Sequence, residues 1–527
     1  MQYTNPDVSL STDNISSSTQ WKHSVMANAF NDPYWQAAVQ DESETFPALS
    51  GFIEDKCTTC HAPMGHTQAH QTNTDLDADD YFRFDTAKTQ NHSREGVSCT
   101  ACHLMQEDGE FSGGYKISST NKDIYGPHDN PRAGPMFNFT TLNYTPVKGV
   151  HVESSAFCAS CHTLYTPALD PDTGLPSGPN TGLPSADKGF LEQGPYLEWQ
   201  NSIYATGAKP VHCQDCHMPV PSDTYKTRIS TRPGAFQLQE REPYAQHTLV
   251  GGNTHLLEIL RDYRSELGIT NSTSVDGFND QIALTRNLLG NAATVTISTL
   301  ATVGNNLEFN IDITNNAGHK LPSAYPSRRT WLHVTVKDGG ANVIFESGKP
   351  DSRGYISTDE TRLKADCMAK NKLDGFDSSL CYEPHRDVII DPAQVAIYET
   401  VLGNINGRIT HTLLQGAQYL KDNRIPPVGF KNANVTEVQT IPAGVVGDND
   451  FNCVSTVEGC GADTVHYQVN IDGQTGPYSV ETRLLYQATQ PAFVDGMHND
   501  ADRVNRFKVM YDDVPPSVEV LDTANNP

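Results

Sequence analysis

Alternation of apolar and polar residues is clearest in the C-terminal half of the chain. Leu307, Phe309, Ile311 and Ile313 alternate with polar residues, which predicts a strand with one buried face. The same period recurs at residues 332–336, 395–401, 465–471 and 478–486. Short strands that are separated by Gly, Pro and Asn turns, with no helices between them, predict an antiparallel β-sandwich over residues 293–527.

The N-terminal half has short helical patterns instead. Trp21, Val25 and Ala29 recur at a spacing of four, which predicts one helical face. Asp32 and Pro33 predict a break and then a second helix that Asp32 caps and Pro33 begins. The predicted fold class is α+β multidomain: a loop-rich, mostly helical domain at 1–262, a connecting helix at 263–292, and the β-sandwich at 293–527.

Charge excludes two classes of partner. The chain has 37 Lys and Arg against 63 Asp and Glu, a formal charge of −26. This balance argues against binding to nucleic acid and to an anionic membrane surface, since both need clustered basic side chains. The sequence has no apolar run of the length that a membrane span needs. Its first 20 residues are polar, so we expect a signal peptide to be absent or already removed.

Eight of the twelve cysteines form four copies of the pattern C-x-x-C-H. The copies are Cys57-Thr-Thr-Cys60-His61, Cys99-Thr-Ala-Cys102-His103, Cys158-Ala-Ser-Cys161-His162 and Cys213-Gln-Asp-Cys216-His217. This pattern attaches c-type haem covalently through the two thiols, and its histidine is the proximal iron ligand. Zinc knuckles would use the cysteine pairs but give no reason for a histidine after each pair. The sequence therefore predicts four covalent haem c groups.

The other four cysteines, Cys367, Cys381, Cys453 and Cys460, lie in the C-terminal half. Haem attachment of this kind takes place outside the cytoplasm, so we predict a periplasmic or extracellular protein. In an oxidising compartment the leftover cysteines predict disulfides. Proximity along the chain favours Cys367–Cys381 and Cys453–Cys460, and the other pairings stay open.

The second axial ligand of each iron decides whether a haem carries electrons or binds substrate. Nineteen histidines are present, four of them in the motifs. His151 precedes Cys158 by seven residues, and His247 lies just beyond the last motif, beside glycines that permit close approach of a macrocycle. The third candidate is His319, on a loop of the β-half. Further candidates are His66, His128, His23, His92, His255 and Met26.

Several segments resemble the large multihaem c-type cytochromes of anaerobic and metal-respiring bacteria. They include WKHSVMANAFNDPYW (21–35), EGVSCTACH (95–103), FCASCHTLYTPALD (157–170), VHCQDCHMP (211–219), HTLVGGN (247–253), NNAGHKLPSAYPSRRTWLHV (315–334) and YLKDNRIPPVGF (419–430). The resemblance implies a tetrahaem region related to the nitrifiers' tetrahaem cytochrome c, followed by a β-domain. It also implies that His151 and His247 are distal ligands. Some relatives are enzymes, and some assemble into extracellular cytochrome filaments.

The resulting expectation is electron transfer through a row of four haems, with redox proteins or identical subunits in a filament as partners. His23, His66 and His128 are the candidates for completing a neighbouring subunit's haem. The alternative is an oxidoreductase acting on a small nitrogen or sulfur compound at a five-coordinate haem, with Tyr325, Arg328 and Arg329 beside His319. The lysine-ended attachment site of several multihaem reductases is missing here. A third hypothesis places the function in the β-domain, as a binding surface that the haems serve.

Overall fold

The protein has the predicted α+β multidomain fold class, seen here in a computed structural model. The structure describes residues 3–4, 16–129, 131, 144–177, 189–220, 226–227, 242–368, 377–454 and 456–526. Within these ranges most helices lie before residue 290 and the long strands lie after it.

The helices are mostly short. Those described are α1 (Ser17–Trp21), α2 (Pro33–Thr45), α3 (Ser50–His61), α4 (Pro63–Thr72), α5 (Phe84–Ala87), α6 (Asn91–Arg94), α7 (Cys99–Leu104), α8 (Ser155–His162), α9 (Pro195–Gln200), α10 (Ile203–Thr206), α11 (Cys213–His217), α12 (Thr254–Asp262), α13 (Val275–Leu289), α14 (Asp359–Arg362), α15 (Ala365–Met368), α16 (Pro491–Asp495) and α17 (Asp502–Asp513).

The long strands lie in the C-terminal half, as the sequence predicts. The strands described are β1 (Tyr3–Thr4), β2 (Asp123–Gly126), β3 (Thr145–Lys148), β4 (Leu164–Thr166), β5 (Phe190–Gln193), β6 (Lys226–Thr227), β7 (Ala293–Val303), β8 (Asn306–Asn315), β9 (Arg329–Lys337), β10 (Val343–Ser347), β11 (Val388–Ile389), β12 (Ile397–Gly403), β13 (Gln418–Asp422), β14 (Ala462–Asn470), β15 (Ser479–Gln487) and β16 (Glu519–Asn526).

The chain forms two compact units that are interleaved in sequence. The motif unit comprises residues 1–161, 211–285 and 500–510, and the sandwich unit comprises residues 162–210, 286–499 and 511–527. The sequence-based limits 1–262, 263–292 and 293–527 divide the chain in sequence order instead. Those limits stay a prediction about independently folding segments.

The motif unit begins differently from the prediction. Helix α1 ends at Trp21, and the chain continues to residue 31 in turns, so the predicted helical face through Val25 and Ala29 is wrong. Polar side chains explain the difference, because Ser24 Oγ accepts from the Ala27 N–H and the Asn28 amide donates to the carbonyl of Ser24. Such local bonds compete with helical ones.

The second helix is confirmed. Helix α2 begins at Pro33, and Asp32 Oδ1 accepts hydrogen bonds from the backbone N–H groups of Tyr34 and Trp35. The cap satisfies two N–H groups that have no partner inside the helix, and proline at the first helical position loses no hydrogen bond. Asp32 and Pro33 therefore fix where α2 starts and where Trp35 lies.

The sandwich unit is built on two sheets whose inner faces share one core. One sheet has the order β13-β12-β9-β15-β16, with β10 also on β9, and the other has the order β11-β14-β8-β7. The predicted alternation is confirmed: Leu307, Phe309, Ile311 and Ile313 of β8 are buried in the core that Leu332, Val334 and Val336 of β9 enter from the opposite sheet. These pairings are antiparallel apart from the two-residue strand β11, which is parallel to β14.

Both predicted disulfides are confirmed. Cys367 is bonded to Cys381 across 14 residues of sequence, and Cys453 is bonded to Cys460 across seven. Cys367 and Cys381 are buried in a small apolar cluster that also holds Val401. This crosslink therefore joins α15 to the residues around Cys381 inside the sandwich unit.

We predict that replacing both Cys367 and Cys381 by alanine lowers the free energy of unfolding by about 3 kcal/mol, because the unfolded chain regains the entropy of the open loop. Thermal unfolding followed by the β-sheet circular dichroism signal measures this loss. The pair Cys453→Ala and Cys460→Ala is the control with a shorter loop, for which the same relation gives about 2.5 kcal/mol. Four titratable thiols in denatured, unreduced protein would contradict the prediction.

Candidate haem-attachment site

Each of the four C-x-x-C-H motifs lies on a short helix. The first ends α3, the second occupies most of α7, the third ends α8 and the fourth forms α11. Residues three and four apart share a face of a helix, so both thiols and the histidine of a motif project together. The eight motif cysteines form no disulfides, whereas the other four are paired.

Thiols of different motifs lie next to each other in the motif unit. Cys60 of the first motif lies close to Cys161 of the third, and this contact lowers the pKa of Cys60. Cys158 lies close to Cys213 of the fourth motif, and this contact lowers the pKa of Cys213 to about 7. Cys102 of the second motif is near enough to raise the pKa of Cys161 electrostatically, after larger effects of Cys60 and burial. The third motif is therefore the one that the other three approach.

Three motif histidines are oriented by backbone carbonyls. His61 Nδ1 lies 3.0 Å from the carbonyl oxygen of Ala29, His103 Nδ1 lies 2.5 Å from that of Tyr125, and His217 Nδ1 lies 2.6 Å from that of Val250. An imidazole that donates from Nδ1 has its lone pair on Nε2, the arrangement that metal-bound histidines adopt. This orientation, together with the motif thiols, fits covalently attached haem at these motifs.

Trp35 adds a second constraint on His61. The two rings are stacked with centroids 4.5 Å apart and planes 7° apart. Trp35 is buried on α2, whose start Asp32 fixes. Asp32 therefore affects the orientation of His61 indirectly: its cap fixes the start of α2, and Trp35 on α2 stacks on His61.

Among the distal candidates, His247 lies close enough to the motif histidine His103 for the two to interact electrostatically. Burial lowers the pKa of His247, and the nearby His103 lowers it further. His247 Nδ1 lies 3.1 Å from the carbonyl oxygen of Ala245, so it has the same Nδ1-to-carbonyl arrangement as the motif histidines. The structure thus brings His247 and His103 into one neighbourhood.

His151 lies in the same part of the motif unit. Its ring packs edge-on against Tyr125, whose carbonyl holds His103, and its Nε2 lies 2.9 Å from the carbonyl oxygen of Met105. The hydrogen bond occupies Nε2 in this structure. Ligation by this nitrogen would require the bond to Met105 to open.

The surroundings of His92 make it a stronger candidate for a distal haem ligand than the sequence alone indicates. Its Nε2 is buried and has no hydrogen-bond partner among the described residues, which is costly for a polar atom unless a partner binds there. His92 precedes Cys99 by seven residues, the same interval that separates His151 from Cys158. That repeated spacing is the signal that could have identified it from the sequence.

His23 is held inside the motif unit by hydrogen bonds and close packing. The side chain is buried, Nδ1 lies 3.0 Å from the carbonyl oxygen of Thr19, and Nε2 accepts from the N–H of Ser274 at 3.1 Å. A Cβ at Gly277 would lie 2.1 Å from the His23 ring, so glycine is needed for this packing. Both ring nitrogens would have to leave these bonds before His23 could ligate an iron, and its two predicted roles stay predictions.

The remaining candidate iron ligands lie on different elements of the two units. His66 is on α4, where its Nε2 faces Asp55 and Thr59. Met26 is half-buried in the turns after α1, His255 is buried on α12, and His128 follows β2. His319 and His162 belong to the sandwich unit, where His319 Nδ1 lies 2.9 Å from the carbonyl oxygen of Lys320.

The arginines named for a five-coordinate site are held by the fold. Arg329 is fully buried and forms two hydrogen bonds with the Asp359 carboxylate, at 2.7 and 2.9 Å. Arg328 donates to the carbonyl oxygen of Ser323, and Tyr325 packs against Phe493. The proposed role of Arg329 toward a substrate is therefore wrong, since its guanidinium neutralises a buried carboxylate.

No protein-family model matches the chain, and a search of curated proteins finds no match. Among solved structures, the chain is similar to a penta-haem cytochrome c552 from Thermochromatium tepidum. The sequence identity is 15%, the TM-score is 0.47, and the match covers 97% of this chain and 95% of that chain. At these values the similarity assigns neither a family nor a haem number to this chain, and the relation to the nitrifiers' tetrahaem family stays a prediction.

No helix among the described residues combines the length and the apolar character that crossing a bilayer requires.

We predict that His247→Ala converts one low-spin haem to high spin in the purified protein, because the ring near His103 is lost as a distal ligand. Magnetic circular dichroism of the oxidised protein measures the change. His333→Ala, on β9 of the sandwich unit, is the matched control and should leave the spectrum as in the wild type. An unchanged His247→Ala spectrum would contradict the assignment.

A second spectroscopic prediction concerns His92. Replacing it by alanine should also produce one high-spin haem, because its buried Nε2 then no longer supplies a ligand. Added imidazole should restore the low-spin spectrum by filling the vacated space. A low-spin spectrum in His92→Ala before imidazole is added would show that another residue holds that position.

Proposed function

We propose that the protein transfers electrons through haem c groups attached at the four C-x-x-C-H motifs, in the periplasm or outside the cell. The observation that carries this proposal is the meeting of motif thiols around the third motif: Cys60 with Cys161, and Cys158 with Cys213. Attachment points this close support transfer between neighbouring groups without a diffusing carrier. The motif spacing supports the haem identity.

The two thiols and the histidine of each motif would hold one haem, which supplies a reversible one-electron iron couple when bound. The polypeptide sets the position of each group through a short helix and the orientation of each proximal imidazole. The carbonyls of Ala29, Tyr125 and Val250 act on that imidazole, because accepting its Nδ1–H makes the ring a more basic ligand. A more basic ligand favours the oxidised iron and lowers the potential.

The surface charge supports a class of redox partner. A formal charge of −26 favours encounter with proteins that present a basic patch, and it disfavours acidic ones. Salt should slow such encounters, because screening shortens the range of the attraction. Basic redox proteins are therefore the partners we propose.

Assembly into a filament extends the same proposal. Identical subunits that meet head to tail without closing a ring form an open chain, and each junction would need a haem near the surface. The support is the sequence resemblance to filament-forming relatives, and His128 is a candidate for completing a neighbour's haem. Electron microscopy of protein from the native host tests this extension.

We predict that electrons pass between the haems of the other three motifs through the haem of the third motif. The double variant Cys158→Ser and Cys161→Ser should retain three haems by mass spectrometry, but the fourth-motif haem should become slow to oxidise when the oxidant reacts at another haem. Stopped-flow oxidation of the fully reduced protein measures this as a new slow phase. The physical reason is that transfer rates fall steeply when an intermediate group is removed.

The matched control removes a terminal group instead. Cys213→Ser with Cys216→Ser also leaves three haems, yet the first, second and third motifs should still exchange electrons in one fast phase. Equal kinetics in the two variants would contradict the central place of the third motif.

Addition of carbon monoxide distinguishes the electron-transfer proposal from the enzyme alternative. Binding of carbon monoxide to the reduced wild type would reveal an open axial position and so favour the enzyme.

A further inference from the structure

Asp55, His66 and His70 form a group of metal-ligating side chains between α3 and α4. The two histidines are four residues apart on α4, which places them on one face of that helix. Asp55 is on α3, two residues before Cys57. One ligand atom from each of the three side chains lies within 4.8 Å of the others.

The separations suit one small cation. His66 Nε2 lies 3.4 Å from Asp55 Oδ2, and His70 Nε2 lies 2.7 Å from Asp55 Oδ1. Two ligand atoms of a tetrahedral zinc ion lie about 3.4 Å apart when each bond is about 2.1 Å long. The first pair already has this spacing, and the second needs only a small rotation of the carboxylate.

Neighbouring groups hold the ligands in place. The backbone N–H of Phe82 donates to Asp55 Oδ1 at 2.8 Å, an outer hydrogen bond of the kind that orients a ligating carboxylate. Helix α4 is fixed by close packing, since a Cβ at Gly65 would lie 1.9 Å from Ser93 Oγ. The two histidines therefore belong to a helix that cannot move freely away from Asp55.

The group is reachable from solvent. The side chains of His66 and Asp55 are 16% and 19% exposed, and that of His70 is 37% exposed. An ion can therefore enter and keep water in its remaining coordination positions. Two imidazoles and one carboxylate suit first-row divalent cations such as Zn²⁺, whereas Ca²⁺ and Mg²⁺ prefer sites made of oxygen ligands.

From this geometry we infer that Asp55, His66 and His70 form a binding site for a divalent first-row transition cation. The site does not depend on the proposed function. It gives His66 a role different from the two predicted for it, as a distal haem ligand and as a donor to a neighbouring subunit. A bound ion would join α3 to α4 on either side of His61 and would stabilise the first attachment segment.

The test uses the full-length protein with its haems, dialysed first against a chelator and then against micromolar ZnCl₂. Elemental analysis should find about one Zn²⁺ per chain, and calorimetric titration should give an affinity that is weakened roughly tenfold or more in His70→Ala. Asp55→Asn is a second variant of similar size that should show the same loss. Zn²⁺ should also raise the thermal midpoint of the wild type and leave that of His70→Ala unchanged.

His466→Ala is the matched control, because His466 meets Asp387 and Asp450 in the sandwich unit and is one of two competing places for Zn²⁺ among the described residues, the other being His385 with Asp448 and Asp463. This variant should bind Zn²⁺ as the wild type does. The haem absorption spectrum of His66→Ala should also be that of the wild type. Loss of Zn²⁺ in His466→Ala, full binding in His70→Ala, no binding in the wild type, or a high-spin haem in His66→Ala would each overturn the inference.

Discussion

The motif unit depends on one constraint: four short helices must bring their cysteines close together. The proximity of Cys60 to Cys161 and of Cys158 to Cys213 satisfies it for the first, third and fourth motifs, although these motifs are separated by long stretches of sequence. One series of contacts in this unit orients a motif histidine. The cap at Asp32 fixes α2, α2 holds Trp35, and Trp35 stacks on His61.

The sandwich unit is stabilised in a different way. Its two sheets bury alternating apolar side chains in one core, and buried carboxylates such as Asp359 are neutralised by buried arginines such as Arg329. Breaking such a pair would leave an uncompensated charge in the interior, so its residues are held to structural roles. This explains why a polar residue near His319, which residue type alone would suggest for catalysis, has a structural role instead.

Features that depend on short stretches of sequence could be predicted. The β8 and β9 strands follow from a period of two, the start of α2 from the Asp32–Pro33 pair, and both disulfides from proximity along the chain. The turns after Trp21 could not, because the side chains of Ser24 and Asn28 take over hydrogen bonds that a helix would make. The spacing of apolar residues carries no information about that competition.

The histidines show most clearly what the sequence leaves open. His23, His92 and His66 are the same residue type in one unit, yet their surroundings differ completely. His23 is bonded through both nitrogens, His92 has a buried Nε2 without a partner among the described residues, and His66 shares a carboxylate with His70. His23 and His66 are both hydrogen-bonded within the protein, whereas the buried Nε2 of His92 has no partner among the described residues. Tertiary packing, and not the local sequence, creates these differences.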